Sequence, residues 1–449
     1  LSVKQRLNPL LLKAMEGTAK TGRIDPAMSR LAILSLHTSP LAQPGTGDGG
    51  GMNVYVRELA SAMARAGHRC DVFTRADSPE LPAEIIVEPG FVVHYVEAGP
   101  KADVPKEQLE LLVPEYTDRV LTAMTTLSGA PIDEEHGGPY DAVHANYWLS
   151  GLAGHIIKHE LDIPLVSTFH TLDRVKAEAM PEEVTAGIST RRDKAEADVI
   201  GCSDAVLASC SVEAEQLVDL YDADPGRISI VAPGVDHAFF GPGDRDQARR
   251  ALGLECDGPL LLFVGRIQPL KGAQVAVEAL SLLRASGTPA SLAIVGGPSG
   301  HQGEATLAEI HELVDRLGLH DVVHFRAPQP HELLSSYYRA ADVTVIPSRS
   351  ESFGLVALES SACGTPVVAS AVGGLTTLVD DGITGALVDS RDPQDFADRI
   401  GEILSSPLRA TRYSTAAVIE AQNYTWRAAA TALGELFDEL VSQRLVTCG

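Results

Sequence analysis

The chain has 449 residues, 45% hydrophobic and 21% charged, with 60 acidic side chains against 36 Lys and Arg and a formal charge of -24. That length asks for more than one hydrophobic core, and that charge opposes non-specific binding to nucleic acid or an anionic lipid surface. The longest apolar runs, such as "PLLLFVG" at 259–265, are far too short to cross a bilayer, so no membrane span is expected.

Residues 1–29 precede the first convincing strand and are read as a disordered tail. They lack the longer apolar core and small-residue cleavage site of a secretory leader. The six cysteines, at 70, 202, 210, 256, 363 and 448, form no CxxC pair. They read as buried reduced thiols of a cytoplasmic protein, not as a disulfide framework or a zinc site.

From residue 30 onward, short apolar runs alternate with helical patterns, the mark of parallel sheets with crossover helices. The first series runs through "RLAILSL", "CDVFT", "FVVHYV", "DAVHANY", "IPLVSTFH", "DVIGCS" and "VLASC", and ends in the Gly- and Pro-rich "RISIVAPGVDHAFFGPGD". A second begins at "PLLLFVGR" and continues through "SLAIVGG", "VVHFRA", "VTVIPS" and "TPVVAS". The expected architecture is α/β with two doubly wound, Rossmann-like domains, 30–240 and 241–423, and a ligand cleft beyond the strand carboxyl ends. A last amphipathic helix within 424–449 either caps the second domain or packs back on the first.

The first strand is followed by "HTSPLAQPGTGDGGGMNVYV". Gly45, Gly47 and Gly50 satisfy GxGxxG, but eight residues separate them from the strand, and the second strand carries no terminal carboxylate for a ribose. No GK[ST] follows, which excludes a Walker loop. What remains is a helix N-terminus near Met52, preceded by backbone that a ligand can approach closely; a plain surface loop is the alternative.

In the second series, "FVGRIQPLKG" sets Arg266 and Lys271 in one strand-to-helix loop, a planar fork and a point charge suited to a pyrophosphate. "SRSESFGLVALESSACGTPVVA" then places Glu351 before a helix entering at Gly354, and Glu359 two turns into it among small and apolar neighbours. A buried carboxylate there needs hydroxyl partners, which a sugar or ribose offers. No DxD metal motif lies in a suitable loop, so no catalytic metal is expected.

Glu351 and Glu359 with Arg266 and Lys271 resemble the E-x7-E and phosphate-binding pair of retaining glycosyltransferases of the GT-B fold, family 4. Further stretches, "HANYWLSG", "YDADPGRISIVAPG" and "ESFGLVALE" among them, are similar to the members of that family that move N-acetylglucosamine from UDP to 1D-myo-inositol 3-phosphate in mycothiol biosynthesis. The resemblance covers residues 30–440. It implies a donor site made by Gln43, Pro44, Gly51, Arg266, Lys271, Gln329, Glu351 and Glu359. For the acceptor it implies His37, Asp48, Gly49, Gly50, Gly51, Met52, Asn53, Lys106, Tyr147, Thr171 and Arg191, with Arg192 as the other candidate for the phosphate. His170 matches the histidine beside the reacting sugar, with Arg266, Lys271 and Glu351 as the other catalytic residues. It further implies a structural magnesium on the carbonyls of Tyr338, Arg339 and Ala341 and on Thr365, and a homodimer. Where relatives often read "GDSGGMN", this chain has "GDGGGMN", so Gly49 removes a hydroxyl. Other acceptors on the same fold, a sugar-nucleotide epimerase and a binding protein without turnover are the competing functions.

Overall fold

The computed structural model describes residues 29–128, 140–180, 188–254, 256–300 and 302–448; all of the expected tail except Ser29 lies outside them. Two sheets form. The first contains β1 (Arg30–Leu34), β2 (Arg69–Arg75), β3 (Glu84–Glu88), β4 (Phe91–Val96), β5 (Ala142–Asn146), β6 (Leu165–Thr168), β7 (Ala205–Ala208) and β8 (Ile228–Ile230), in the order β3-β4-β2-β1-β5-β6-β7-β8. The second contains β9 (Leu260–Val264), β10 (Ser291–Val295), β11 (Val323–Arg326), β12 (Val343–Ile346), β13 (Val367–Ser370) and β14 (Gly385–Val388), in the order β11-β10-β9-β12-β13-β14.

Every pairing is parallel except β3 with β4, which is antiparallel. Parallel strands are covered on both faces by helices and so become continuous apolar runs: β5 is buried at all five positions. Strand order reverses between β1 and β5 in the first sheet, and between β9 and β12 in the second. In doubly wound sheets a ligand crevice opens at that reversal. The loops that leave β1 and β5 carry residues 37–50 and Tyr147; those that leave β9 and β12 carry Arg266, Lys271 and Glu351.

Six helices matter for the site: α1 (Gly51–Arg65), α2 (Trp148–Leu161), α3 (Ile188–Cys202), α4 (His331–Ala340), α5 (Leu355–Ala362) and α6 (Trp426–Val441). Three details depart from the sequence reading. "DVIGCS" is the last part of α3, not a strand: Val199 and Ile200 turn inward on one helix face, and a Cβ on Gly151 of α2 would lie 2.8 Å from Val199 Cγ1. A short apolar run cannot distinguish a buried helical turn from a strand. β3, β8 and β14 were not anticipated, and "RISI", read as the close of the series, supplies β8.

The third departure concerns cysteine. Cys202 and Cys448 are joined as a disulfide across 246 residues, while Cys70, Cys210, Cys256 and Cys363 are free. The chain after α6 returns over the first domain and brings Cys448 to the end of α3, a proximity that no local spacing announces. The α6 helix itself packs on α1: Trp426, Leu433 and Phe437 share one apolar cluster with Leu31, Val54 and Leu59. Its start is capped by Thr425, whose hydroxyl accepts from Ala428 N at 3.1 Å.

Candidate active site

Between the two sheets lies a cleft of about 950 Å³, large enough for a nucleotide-sized ligand and a second small molecule. Its first wall begins at the glycine loop. Asn53, buried in the first turn of α1, accepts from Gly50 N at 2.8 Å and donates to Thr38 Oγ1 at 2.7 Å and to Ser39 O at 2.5 Å. These bonds fold the loop back against the helix mouth, so Asn53 holds the loop in place and its amide is spent within the protein. The glycines are then needed for closeness: a Cβ on Gly50 would stand 3.2 Å from Arg266 Nε, across the cleft. Ser299 Oγ from the second domain donates to Gly47 O at 2.7 Å, and Gln43 Nε2 donates to Gln329 O.

Tyr147 organises the first-domain corner of the cleft. It lies at the switch point with φ 74°, and His170, after β6, has φ 61°. Of the four non-glycine residues with positive φ among the described residues, two therefore line this cleft, a form of strain that concentrates at functional sites. Lys106 Nζ stands 4.6 Å from the Tyr147 ring centroid and the Arg192 guanidinium 5.0 Å from it. Burial alone would raise the Tyr147 phenol, but Arg192 and Lys106 outweigh it and the net direction is down. Arg192 also donates to Thr171 O at 2.7 Å, to Thr171 Oγ1 at 3.1 Å and to Glu196 Oε1 at 2.7 Å.

His37 stacks against Tyr147 with ring centroids 4.4 Å apart, and its Nδ1 is buried without a partner. Burial first, then the nearby positive charges of Lys106, Arg266 and Arg192, lower its pKa well below the usual value. The imidazole is therefore neutral at physiological pH, and the positive charge of this corner belongs to Lys106 and Arg192. A lysine and an arginine converging beside a tyrosine, a threonine and a neutral histidine make a receptor for a phosphate dianion. His170 is neutral as well, lowered to about 3 by burial and then by His144, with its Nε2 2.9 Å from Asn146 Oδ1. Its carbonyl accepts from Ser352 Oγ of the second domain.

On the second wall, Lys271 Nζ pairs with Glu351 Oε1, which also accepts from Ser348 Oγ at 2.9 Å. Arg266 is not hydrogen-bonded to any described residue; burial lowers its pKa, opposed by Asp48, Glu351 and Tyr147. Glu359, on α5, is buried and already bound: Tyr338 OH donates to Oε2 at 2.8 Å, and His331 Nε2 lies 2.7 Å from Oε1. The hydroxyl partner expected from a ligand is thus supplied first by the protein. Burial opposes charge on His331, but Glu359 outweighs it and raises its pKa. No residue pattern singled out His331 or the Tyr338 hydroxyl; α4 brings both against α5.

The cleft is lined by His37, Pro44, Asp48, Gly49, Gly50, Gly51, Met52, Lys106, Tyr147, His170, Thr171, Arg266, Lys271, Gln329, Glu351 and Glu359. Gln43 and Asn53 stand behind this wall. Arg191 does not join it: its side chain is 73% exposed and faces Glu110 at 3.8 Å, whereas its neighbour Arg192 enters the cleft. One residue along a helix turns the side chain by about 100°, and Arg192 is the one held inward, by Glu196, Thr171 and the Tyr147 ring. The oxygen set of Tyr338, Arg339, Ala341 and Thr365 lies outside the cleft lining. Its neutral oxygens suit a hard cation, but Thr365 Oγ1 donates to Tyr338 O at 2.6 Å and Ala341 N to the same carbonyl at 3.1 Å, so the loop closes on its own bonds.

Comparison with known proteins identifies the fold and the family. Sucrose-phosphate synthase from Thermosynechococcus elongatus superposes with a TM-score of 0.80 at 33% identity, over 92% of this chain and 99% of that one. The architecture is the GT-B fold. Residues 244–418 match the family of glycosyl transferases group 1, and residues 50–234 match the glycosyl transferase 4-like domain. The D-inositol 3-phosphate glycosyltransferase of Thermomonospora curvata is 44% identical over 421 residues, 91% of this chain and 95% of the relative. That of Acidothermus cellulolyticus is 46% identical over 401 residues, 88% and 87%. The chain belongs to the D-inositol 3-phosphate glycosyltransferase family. As a glycosyltransferase of this family it has its two sheet switch points facing one another, so the charged loops of both domains meet in a single cleft.

Proposed function

We propose that the protein transfers N-acetylglucosamine from UDP-N-acetylglucosamine to 1D-myo-inositol 3-phosphate with retention at the anomeric carbon and release of UDP, the first step of mycothiol biosynthesis. The observation that carries this reading is the pairing of two anion receptors across one cleft. Lys106 and Arg192 converge at Tyr147 on the first domain, and Arg266 and Lys271 follow β9 on the second. One receptor takes the acceptor phosphate and the other the donor diphosphate.

Arg266 and Lys271 stabilise the charge that grows on UDP as the sugar–phosphate bond breaks. Losing one such preorganised donor costs about 3 to 4 kcal/mol of barrier. The acceptor hydroxyl attacks the anomeric carbon from the face the phosphate leaves and passes its proton to the departing phosphate oxygen, so no enzymatic nucleophile is needed. Glu351, held by Lys271 and Ser348, orients the donor sugar. Glu359, oriented by His331 and Tyr338, offers its remaining lone pairs to the ribose. His170, neutral and tethered to Asn146, lies beside the reacting sugar without repelling its cation-like charge. The magnesium expected at Tyr338, Arg339, Ala341 and Thr365 is proposed as structural only, and no step passes through it. We read the setting as cytoplasmic and the active unit as a homodimer.

Incubation with UDP-N-acetylglucosamine, with and without inositol phosphate, tests the reaction class. UDP release that requires inositol phosphate supports the transfer. An isomerised donor would identify an epimerase, and binding without turnover a binding protein.

A further inference from the structure

From the convergence of two imidazoles on the Cys202–Cys448 pair, we propose that the reduced protein binds a zinc-class divalent cation there, through His155, His159, Cys202 and Cys448. This site lies outside the catalytic cleft, at the junction of α2, the end of α3 and the chain beyond α6. His155 and His159 occupy one face of α2, four residues apart, with ring centroids 5.1 Å from each other. The donor atoms of His155, Cys202 and Cys448 all lie within 4.8 Å of one another, and His159 Nε2 is 3.1 Å from Cys448 Sγ. Tetrahedral zinc at ordinary N and S bond lengths requires ligand atoms separated by roughly 3.3 to 3.8 Å, so small side-chain rotations suffice.

Cys448 reaches this place by main-chain docking as well as through sulfur. Val446 N donates to Asp204 Oδ1 at 2.7 Å, and the other carboxylate oxygen of Asp204 pairs with Lys158 Nζ at 2.8 Å. Lys158 also donates to Cys202 O at 2.7 Å. The backbone on both sides of the sulfurs is therefore anchored whether or not they are bonded. A disulfide alone has no use for two imidazoles; two thiolates and two imidazoles form a Cys2His2 set matched to a borderline-soft dication, and they neutralise its charge.

In a reducing compartment the pair exists as thiols. A dithiol reductant breaks the S–S bond, delivers two electrons and two protons, and leaves as its own disulfide. The cation then displaces the two thiol protons to solvent. Bound there, it clamps the segment beyond α6 to the first domain.

The test uses untagged full-length protein reduced with a phosphine and titrated anaerobically with cobalt(II) chloride. The expected result is one cobalt per chain, with intense tetrahedral visible bands and a thiolate-to-cobalt charge-transfer band, both displaced by zinc. Cys448→Ser removes the charge-transfer contribution of that sulfur. His155→Gln and His159→Gln each weaken uptake at least about tenfold, yet still form the disulfide on oxidation, which shows that the fold and the tail docking persist. Sub-stoichiometric uptake, an octahedral spectrum without thiolate bands, or histidine variants that bind as tightly as the parent would overturn the proposal.

Discussion

Arg192 carries the sharpest residue-scale distinction, because it and Arg191 are adjacent and alike in sequence. Only Arg192 reaches Thr171 and the Tyr147 ring; Arg191 extends toward solvent. Arg192→Gln is expected to raise the KM for inositol phosphate by about 10- to 100-fold, the loss of a charge-assisted contact. Arg191→Gln should alter it by less than about twofold. Steady-state kinetics with varied acceptor distinguish the two, and equal effects would contradict the geometry. The buried histidines set a second prediction. His144 and His170 are both lowered to about 3 by burial, so the folded state stays unprotonated while the unfolded chain takes up protons near its ordinary pKa of about 6.5. Stability is therefore full above that value and is lost as the pH falls through the window below it, by about 2 kcal/mol per histidine near pH 5. Denaturant unfolding from about pH 7 to about pH 5 should show this slope, and His144→Asn should flatten it.

At the scale of elements, the interdomain linker crosses the start of α6 backbone against backbone. Val235 N donates to Tyr424 O at 3.2 Å, and a Cβ on Gly234 would sit 2.1 Å from Trp426 N. Backbone cannot retreat there as a side chain could, so Gly234→Ala is expected to cost roughly 3 kcal/mol through overpacking. A thermal scan showing an unchanged midpoint would contradict this crossing. The same element shows what the sequence could and could not convey. The amphipathic pattern of 424–440 specifies a helix, but its choice of partner depends on the apolar face of α1, which no local pattern names. Most parallel strands were legible because burial on both faces makes them uninterrupted apolar runs; β3, an antiparallel edge strand with only three apolar residues between glutamates, and β8 and β14, of three and four residues, were not. Charges at strand ends revealed Arg266, Lys271 and Glu351, since turn chemistry and strand termini are local. His331 and Tyr338 became site residues only through the packing of α4 on α5. The choice between Arg191 and Arg192 likewise required the three-dimensional placement of Thr171, Glu196 and Tyr147.

On the scale of the whole molecule, the two domains are linked across the cleft by Ser299 to Gly47, Gln43 to Gln329 and Ser352 to the His170 carbonyl. These contacts hold the two walls of the cleft against one another. The expectation from sequence is an opening of this cleft without UDP, with closure completing the site. Small-angle scattering should therefore show compaction on addition of UDP, and an unchanged radius of gyration would rule closure out as a UDP-driven step. The central claim is that a phosphate receptor on the first domain and a diphosphate receptor on the second act on one sugar. UDP release from UDP-N-acetylglucosamine, measured against inositol phosphate concentration for the parent and for Lys106→Ala, tests it most directly. The parent should release UDP only with the acceptor, and Lys106→Ala should need at least about tenfold more acceptor for the same rate; acceptor-independent release, or an unchanged concentration dependence in the variant, would contradict it.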